Sequence, residues 1–244
     1  MLSGITGYIA SWIALFLLEE GYTVHGTLRD KNNKKKNAHI EKLQNDFPGK
    51  LKLFEADLLK ENSFEEAMKG CDIVIHTASP FFIDKIKNPE KDLIEPALMG
   101  TKNVLQTVNK LSEVKRLVLT SSVAAVYGDA SEINALPGRI FTEKHWNTTS
   151  NAKHQPYSYS KTLAEKEAWE IRHQQNRWDL ISINPGFVLG PSLSSRVDST
   201  SNATMIQLGD GSFKSGVPAL TMGIVDVRDV AKAHIMAAVN KDAE

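Results

Sequence analysis

The chain has 244 residues, 29 basic and 29 acidic side chains, no formal net charge, and 41% hydrophobic residues. That is enough apolar material for one sizeable core, and the composition excludes a disordered chain. The balanced charge lacks the basic field of a general nucleic-acid binder or a membrane-surface protein, so neither partner is expected. A single cysteine, Cys71, excludes an intramolecular disulfide framework and fits a reducing, cytoplasmic compartment.

Residues 1–18 carry no charge and imitate a signal peptide, but no Lys or Arg precedes them and Glu19 and Glu20 follow directly. That order argues against secretion, and the Asn-x-Thr patterns at Asn147 and Asn202 then read as chance matches. In chain order, 11–20 has helical apolar spacing with Gly21 as its stop, and 22–28 reads as a strand. The lysine-rich stretch 31–36 leads into a helix over 38–45. A strand at 51–55, a helix at 63–69 and a short apolar strand at 72–76 follow. The last is of the type buried on both faces of a parallel sheet. A long helix over 89–111, a strand at 116–120, a helix over 156–175, a strand at 179–184 and a helix over 230–240 complete the pattern. Strands alternating with helices of this length predict right-handed βαβ units and an α/β fold, a doubly wound parallel sheet. The irregular stretches 129–152 and 191–220 are expected to line the site.

Gly4, Gly7 and Ala10 stand three apart where a strand passes into a helix. Glycine permits a tight turn and lets the backbone approach a pyrophosphate, which the helix N-terminus attracts. Helix packing would explain the same spacing, but in register with the βα units behind it the turn predicts dinucleotide binding by Gly4, Gly7, Tyr8 and Ile9. Only two residues precede Ser3, where a buried strand of some five is expected. Losing about three core side chains at roughly 1.5–3 kcal/mol each removes about 5–9 kcal/mol, against a typical domain stability of about 5–15 kcal/mol. The chain is therefore expected to be truncated relative to the working protein.

At the end of the second strand stands Arg29, followed by Asp30 and the run Lys34, Lys35, Lys36. A guanidinium grips a 2′-phosphate where an NAD enzyme places an acid, although a solvated basic loop is the plain alternative. Asp57, with Leu58, follows the third strand and is placed either to meet the adenine edge or to cap the next helix.

Tyr157 and Lys161 sit four apart just after Pro156, on one face of the predicted helix. An ammonium about 5 Å from a phenol contributes roughly 3 kcal/mol at an effective dielectric near 20, or about two pKa units. That lowers the phenol toward working pH, where it transfers protons efficiently. Thr120-Ser121-Ser122 ends the strand 116–120, at the sheet edge where doubly wound folds bind ligands. The seven histidines show no metal spacing, so no metal is expected. Cys71 reads as a core thiol, the tryptophans as packing, and Asp226 and Asp229 as partners of Arg228 or helix caps.

On these motifs the sequence resembles the extended short-chain dehydrogenases/reductases. More narrowly, it resembles the dihydroflavonol reductase, cinnamoyl-CoA reductase and aldehyde (methylglyoxal-type) reductase group. The likeness continues through Gly-Tyr-Ile-Ala-Ser-Trp at 7–12, Ala-Asp-Leu at 56–58, His-Thr-Ala-Ser-Pro at 76–80 and Gly-Thr-Lys-Asn-Val at 100–104. Leu-Thr-Ser-Ser at 119–122, Ser-Lys-Thr-Leu-Ala-Glu at 160–165, Asn-Pro-Gly-Phe-Val-Leu-Gly-Pro at 184–191 and Val-Asp-Val-Arg-Asp-Val-Ala at 225–231 complete it.

The resemblance implies a Rossmann-type NAD(P)-binding domain over 1–190, and over 191–244 a small, partly present substrate-binding lobe with a returning helix. It implies Ser122, Tyr157 and Lys161 as the catalytic triad, and Arg29 and Lys36 as holders of a 2′-phosphate. Thr77, Ala78, Pro185 and Val188 would line the cofactor. The implied cofactor is NADP rather than NAD, the substrate a small carbonyl compound, and a homodimer through the long helices is the family's habit. Tyr127 and His154-Gln155-Pro156 depart from the dihydroflavonol and cinnamoyl patterns, so a general aldehyde or ketone reductase is the expectation. An epimerase or dehydratase on the same fold would want an acid in place of Arg29. A non-catalytic dinucleotide-binding protein would be expected to lose the tyrosine or the lysine.

Overall fold

A computed structural model describes residues 1–79, 86–195, 200–217 and 222–243. Pro80 of the 76–80 motif and parts of the 191–220 stretch lie outside these residues. Six parallel strands form the main sheet: β1 (Leu2–Ser3), β2 (Val24–Leu28), β3 (Leu51–Glu55), β4 (Ile73–His76), β5 (Arg116–Thr120) and β6 (Asp179–Ile183). Their spatial order is β3-β2-β1-β4-β5-β6, the doubly wound Rossmann order. The two residues of β1 take the central slot, with Leu2 beside Gly26 on one side and Ile75 on the other. The fit there is close: a Cβ on Gly26 would come within 2.4 Å of the Ile5 side chain.

The helices are α1 (Tyr8–Glu19), α2 (Lys34–Asp46), α3 (Glu65–Met68), α4 (Glu95–Lys110), α5 (Val123–Val126), α6 (Pro156–His173), α7 (Thr200–Gly209) and α8 (Val227–Val239). Two apolar layers cover the sheet. Leu2, Ile75, Val118 and Ile181 face α1, α2 and α8. Val74, Leu117, Leu119 and Leu180 face the layer that holds Ala67 and Met68 of α3, Val104 and Leu105 of α4, and Ala168 of α6. Neighbouring residues of one strand thus enter opposite cores, which is why these strands read as continuous apolar runs rather than alternating ones.

Several boundaries differ from expectation for local reasons. The helix after β2 begins at Lys34, not residue 38, because the Asn33 side chain accepts from the Lys36 N–H at 3.1 Å and caps a lysine-rich first turn. The expected 63–69 helix shrinks to one turn over Glu65–Met68. The long helix opens as a π-turn over Glu90–Ile94 before α4. Pro96 has no N–H for the α-type bond to Asp92, so the preceding ladder shifts register. The stretch 191–220, expected to be irregular, contains α7, and α7 has no buried residue.

A second, two-stranded parallel sheet joins β7 (Phe187–Leu189) to β8 (Ile224–Asp226), which the sequence did not suggest. Asp226 caps α8 by accepting from the Arg228 N–H at 2.8 Å and also pairs with its guanidinium. The helix α8 then returns onto the main sheet, placing Ala231, Ile235 and Ala238 in the core with Ile13 of α1.

Candidate active site

The ends of β1, β2, β3, β4, β5 and β6 share one edge of the sheet, and the candidate residues gather along it. Ser3 organises the middle. Its Oγ accepts from the N–H groups of Thr77 and Ala78, at 3.0 Å each, and lies 2.8 Å from His76 Nδ1. With both lone pairs taken, the hydroxyl donates its one proton to Nδ1, so His76 is neutral with its proton on Nε2. Burial of His76 and the charge of Lys161 pull its pKa down to about 3. The Thr77 hydroxyl returns a bond to the Ser3 carbonyl at 2.5 Å.

These bonds press the β4 end against the glycine turn. Gly4 takes φ +63°, and a Cβ there would stand 3.0 Å from the Ala78 Cβ. Gly7 caps α1 without any side-chain bond to its first-turn N–H groups. Tyr8 and Ile9 open the helix. The Tyr8 hydroxyl donates to the Gly190 carbonyl at 2.6 Å, and both residues pack on a small cluster of Val188, Val227 and Val230.

Arg29, just past β2, and Lys36, in the first turn of α2, are both exposed. The Asp30 carboxylate is turned aside, accepting from the Asn32 N–H at 2.8 Å. Asp57 is held next to Arg29 by the bond from Ala56 N–H to the Leu28 carbonyl at 3.0 Å. Asp57 caps its own turn through the Leu59 N–H, at 2.8 Å, and not the next helix. Leu58 turns its side chain into the core, where a Cβ on Gly100 of α4 would meet it at 3.1 Å.

At the β5 end, Ser122 is the extended residue before α5 and accepts from the Ala124 N–H at 3.2 Å. Pro185, after β6, accepts from the Val123 N–H at 3.1 Å. Tyr157 is in the first turn of α6, behind Gln155 in left-handed backbone (φ +53°), whose amide donates to Asp129 at 2.9 Å. Ser122 and Tyr157 are hydrogen-bonded. The Lys161 ammonium lies 6.0 Å from the Tyr157 ring centroid and 3.3 Å from Ser79 Oγ, to which it donates.

The electrostatics here differ from the sequence argument. A lysine-lowered phenol was expected, yet the Tyr157 pKa is raised by burial, with the Ser122 hydrogen bond partly opposing the rise. Lys161 is itself buried, and loss of water pulls it down to about 8, with Glu165 pushing back. The Coulomb argument assumed a solvated pair, whereas burial penalises the charged form of both groups.

The residues present fit a dinucleotide. The glycine turn brings the backbone into an α1 N-terminus with no side-chain cap, whose first-turn N–H groups can meet an anion, while Arg29 stands just past β2 and Lys36 in the first turn of α2. Sequence reasoning gave no role to Ser3, His76, Ser79, Ser121, Glu165 or Asn184, which form the hydrogen-bonded floor of this edge. Glu165 alone carried a usable signal, being four residues past Lys161 on the same helix face. Among the described residues no group of His, Cys, Asp and Glu is arranged to hold a metal, and no helix is long and apolar enough to cross a membrane.

Six parallel strands in this order, with the candidate residues along their carboxyl edge, place the chain in the Rossmann class. Residues 1–244 match the NAD dependent epimerase/dehydratase family, and the chain belongs to it, among the extended short-chain dehydrogenases/reductases. Cinnamoyl-CoA reductase CAD2 of Medicago truncatula is 43% identical over 99% of this chain and 72% of its own length. An anthocyanidin reductase of Vitis vinifera is 39% identical over 98% and 72%. The crystal structure of yeast methylglyoxal/isovaleraldehyde reductase Gre2 complexed with NADPH superposes with a TM-score of 0.85. It is 33% identical, covering 99% of this chain and 74% of that one. These relatives are reductases, which supports an oxidoreductase.

Proposed function

We propose that the chain is an NADPH-dependent reductase of aldehydes or ketones. The observation that carries this reading is the grouping of Ser122, Tyr157 and Lys161 at one sheet edge beside the Gly4–Gly7 turn. A nicotinamide held at this edge would supply the hydride for the carbonyl carbon. Tyr157 donates the proton that the developing alkoxide needs, and Ser122 hydrogen-bonds the same oxygen. A phenol kept protonated by burial is suited to the reductive direction, since it must enter the step as an acid. Lys161, which donates to Ser79 at 3.3 Å, would hold the nicotinamide ribose. The sequence departures at Tyr127 and at 154–156 favour a general carbonyl substrate over a flavonoid or a cinnamoyl thioester. Tyr127 stacks on Phe141 with centroids 4.8 Å apart, an aromatic wall five residues past Ser122.

Two substitutions test the reading. Tyr157→Phe should lower kcat by about a hundredfold to ten-thousandfold. Its NADPH affinity, measured by fluorescence titration, should stay within about threefold, because the phenol's work is proton transfer; retained turnover sinks the assignment. Arg29→Ala should weaken NADPH by about 10–100-fold, the worth of a charge-assisted pair, and leave NADH nearly unchanged. Equal losses for both nucleotides would remove the 2′-phosphate role. They would also revive an epimerase or dehydratase that uses NAD.

A further inference from the structure

Glu165 stands one helical turn beyond Lys161 on α6 and is 6% exposed, yet the reduction scheme gives it nothing to do. A buried carboxylate is costly unless its oxygens are satisfied. Here they are. Oε2 accepts from the Ser121 hydroxyl and from Asn184 Nδ2, the latter at 2.8 Å, and Oε1 accepts from the Trp169 indole at 3.4 Å. Ser121 precedes Ser122, and Asn184 precedes Pro185. Asn184 Nδ2 also donates to the Ser122 carbonyl at 3.1 Å. One carboxylate therefore ties the ends of β5 and β6 to the helix that carries Tyr157 and Lys161. It also lines, with Lys161, His76, Ser79 and Ser121, a small, partly open pocket of about 10 Å³, room for roughly one water.

We propose that Glu165 is a positioning residue that fixes Ser122 against Tyr157 and supplies the counter-charge behind Lys161. The inference rests on the reductase reading of the same site. Among the described residues, the titratable groups facing Lys161 are Tyr157 and Glu165 on its own helix and His76 from β4. His76 is neutral, held so by burial and by the Ser3 proton, and Tyr157 keeps its proton. Glu165 is thus the group opposing the desolvation that pulls Lys161 down to about 8. Without that charge the ammonium loses its proton nearer neutral pH. A structural acceptor alone would have no such effect, because a glutamine oxygen can still accept from Ser121 and Asn184.

The test is Glu165→Gln, with Glu165→Asp beside it. The measurements are denaturation midpoint, NADPH affinity, kcat and KM for an aldehyde across pH, and direct titration of Lys161 by isotope-labelled lysine NMR. For Glu165→Gln we expect kcat to fall by about 10–100-fold, the cost of a misplaced catalytic group, with KM and NADPH affinity within about threefold. Its alkaline kcat limb and the Lys161 NMR midpoint should both move about one pH unit toward acid. Glu165→Asp, which keeps the charge and shortens the reach, should restore the limb but only part of kcat. Unchanged kcat, or a loss with limb and midpoint unmoved, overturns the proposal. If Glu165→Gln does not fold, Ser121→Ala must lower kcat without moving the limb, and an unchanged kcat there overturns it. Should the parent protein reduce no carbonyl compound with NADPH, the reductase reading falls. The Lys161 midpoint then decides the charge role by itself, an unmoved value rejecting it.

Discussion

The carboxyl edge of the main sheet and the segment around β7, α7 and β8 are built differently. At the edge, Ser3 is hydrogen-bonded to His76, and Ser121 and Asn184 to Glu165, and Ser3, His76, Ser121 and Glu165 are buried. In the second region α7 buries nothing, and Met205, Ile206 and Leu208 are each about half exposed (46–50%). The edge that would hold a nicotinamide and donate a proton is fixed before any ligand arrives. The region beside it has apolar side chains without a matching apolar surface among the described residues. Chemistry that needs distances held within fractions of an ångström belongs on the first kind of surface, and variable substrate contacts belong on the second.

Acid should affect the edge most. The Val230 carbonyl can only accept, so His234 Nδ1 donates to it at 2.7 Å, and Nε2 accepts the Thr120 hydroxyl at 2.7 Å. Burial holds His234 down to about 4, as it holds His76 to about 3. Both values lie below the unfolded imidazole value near 6.5, so the folded state prefers the neutral ring. Their stabilisation is complete above about pH 6.5 and is lost as pH falls toward 4, by roughly 3 kcal/mol each. Urea midpoints between pH 7 and pH 4 should collapse accordingly, and a flat profile would show that neither ring is held neutral.

A smaller loss should follow Gly4→Ala. Its φ of +63° and the 3.0 Å approach to Ala78 predict a destabilisation of about 1–2 kcal/mol together with weakened NADPH binding. Full retention of both would mean that the turn is looser than its geometry. The smallest effect belongs to the other region. Met205→Ser, at a 50% exposed position, should change stability by less than about 0.5 kcal/mol. A larger loss in the thermal melt would show that α7 is packed as firmly as the sheet edge and would remove the contrast.

Much of this was legible in the chain. The run at 72–76 announced a strand buried on both faces, the segments 116–120 and 179–184 read as strands, and β4, β5 and β6 stand there. Tyr157 and Lys161 were placed on one helix face by spacing alone, and the glycine turn was visible because only glycine tolerates the Gly4 backbone beside Ala78. The bridging strands β7 and β8 gave no comparable signal. Each has three residues, and only glycine fits at position 186, because the Gly223 carbonyl oxygen lies 2.4 Å from where a Cβ would be. That is a long-range contact invisible in either segment.

Periodicity and turn chemistry are local properties, so the sequence by itself determined the alternation of the main-sheet strands with their helices, the sheet class and the placement of Tyr157 and Lys161 on one helix. Charge and protonation are not local. The sequence predicted a phenol made acidic by its lysine neighbour. Only the tertiary structure decided that both groups lose water, that the phenol keeps its proton, and that a carboxylate one turn further on offsets the cost to the ammonium. Those outcomes depend on what is packed around each group, and packing is set by residues far away in the chain.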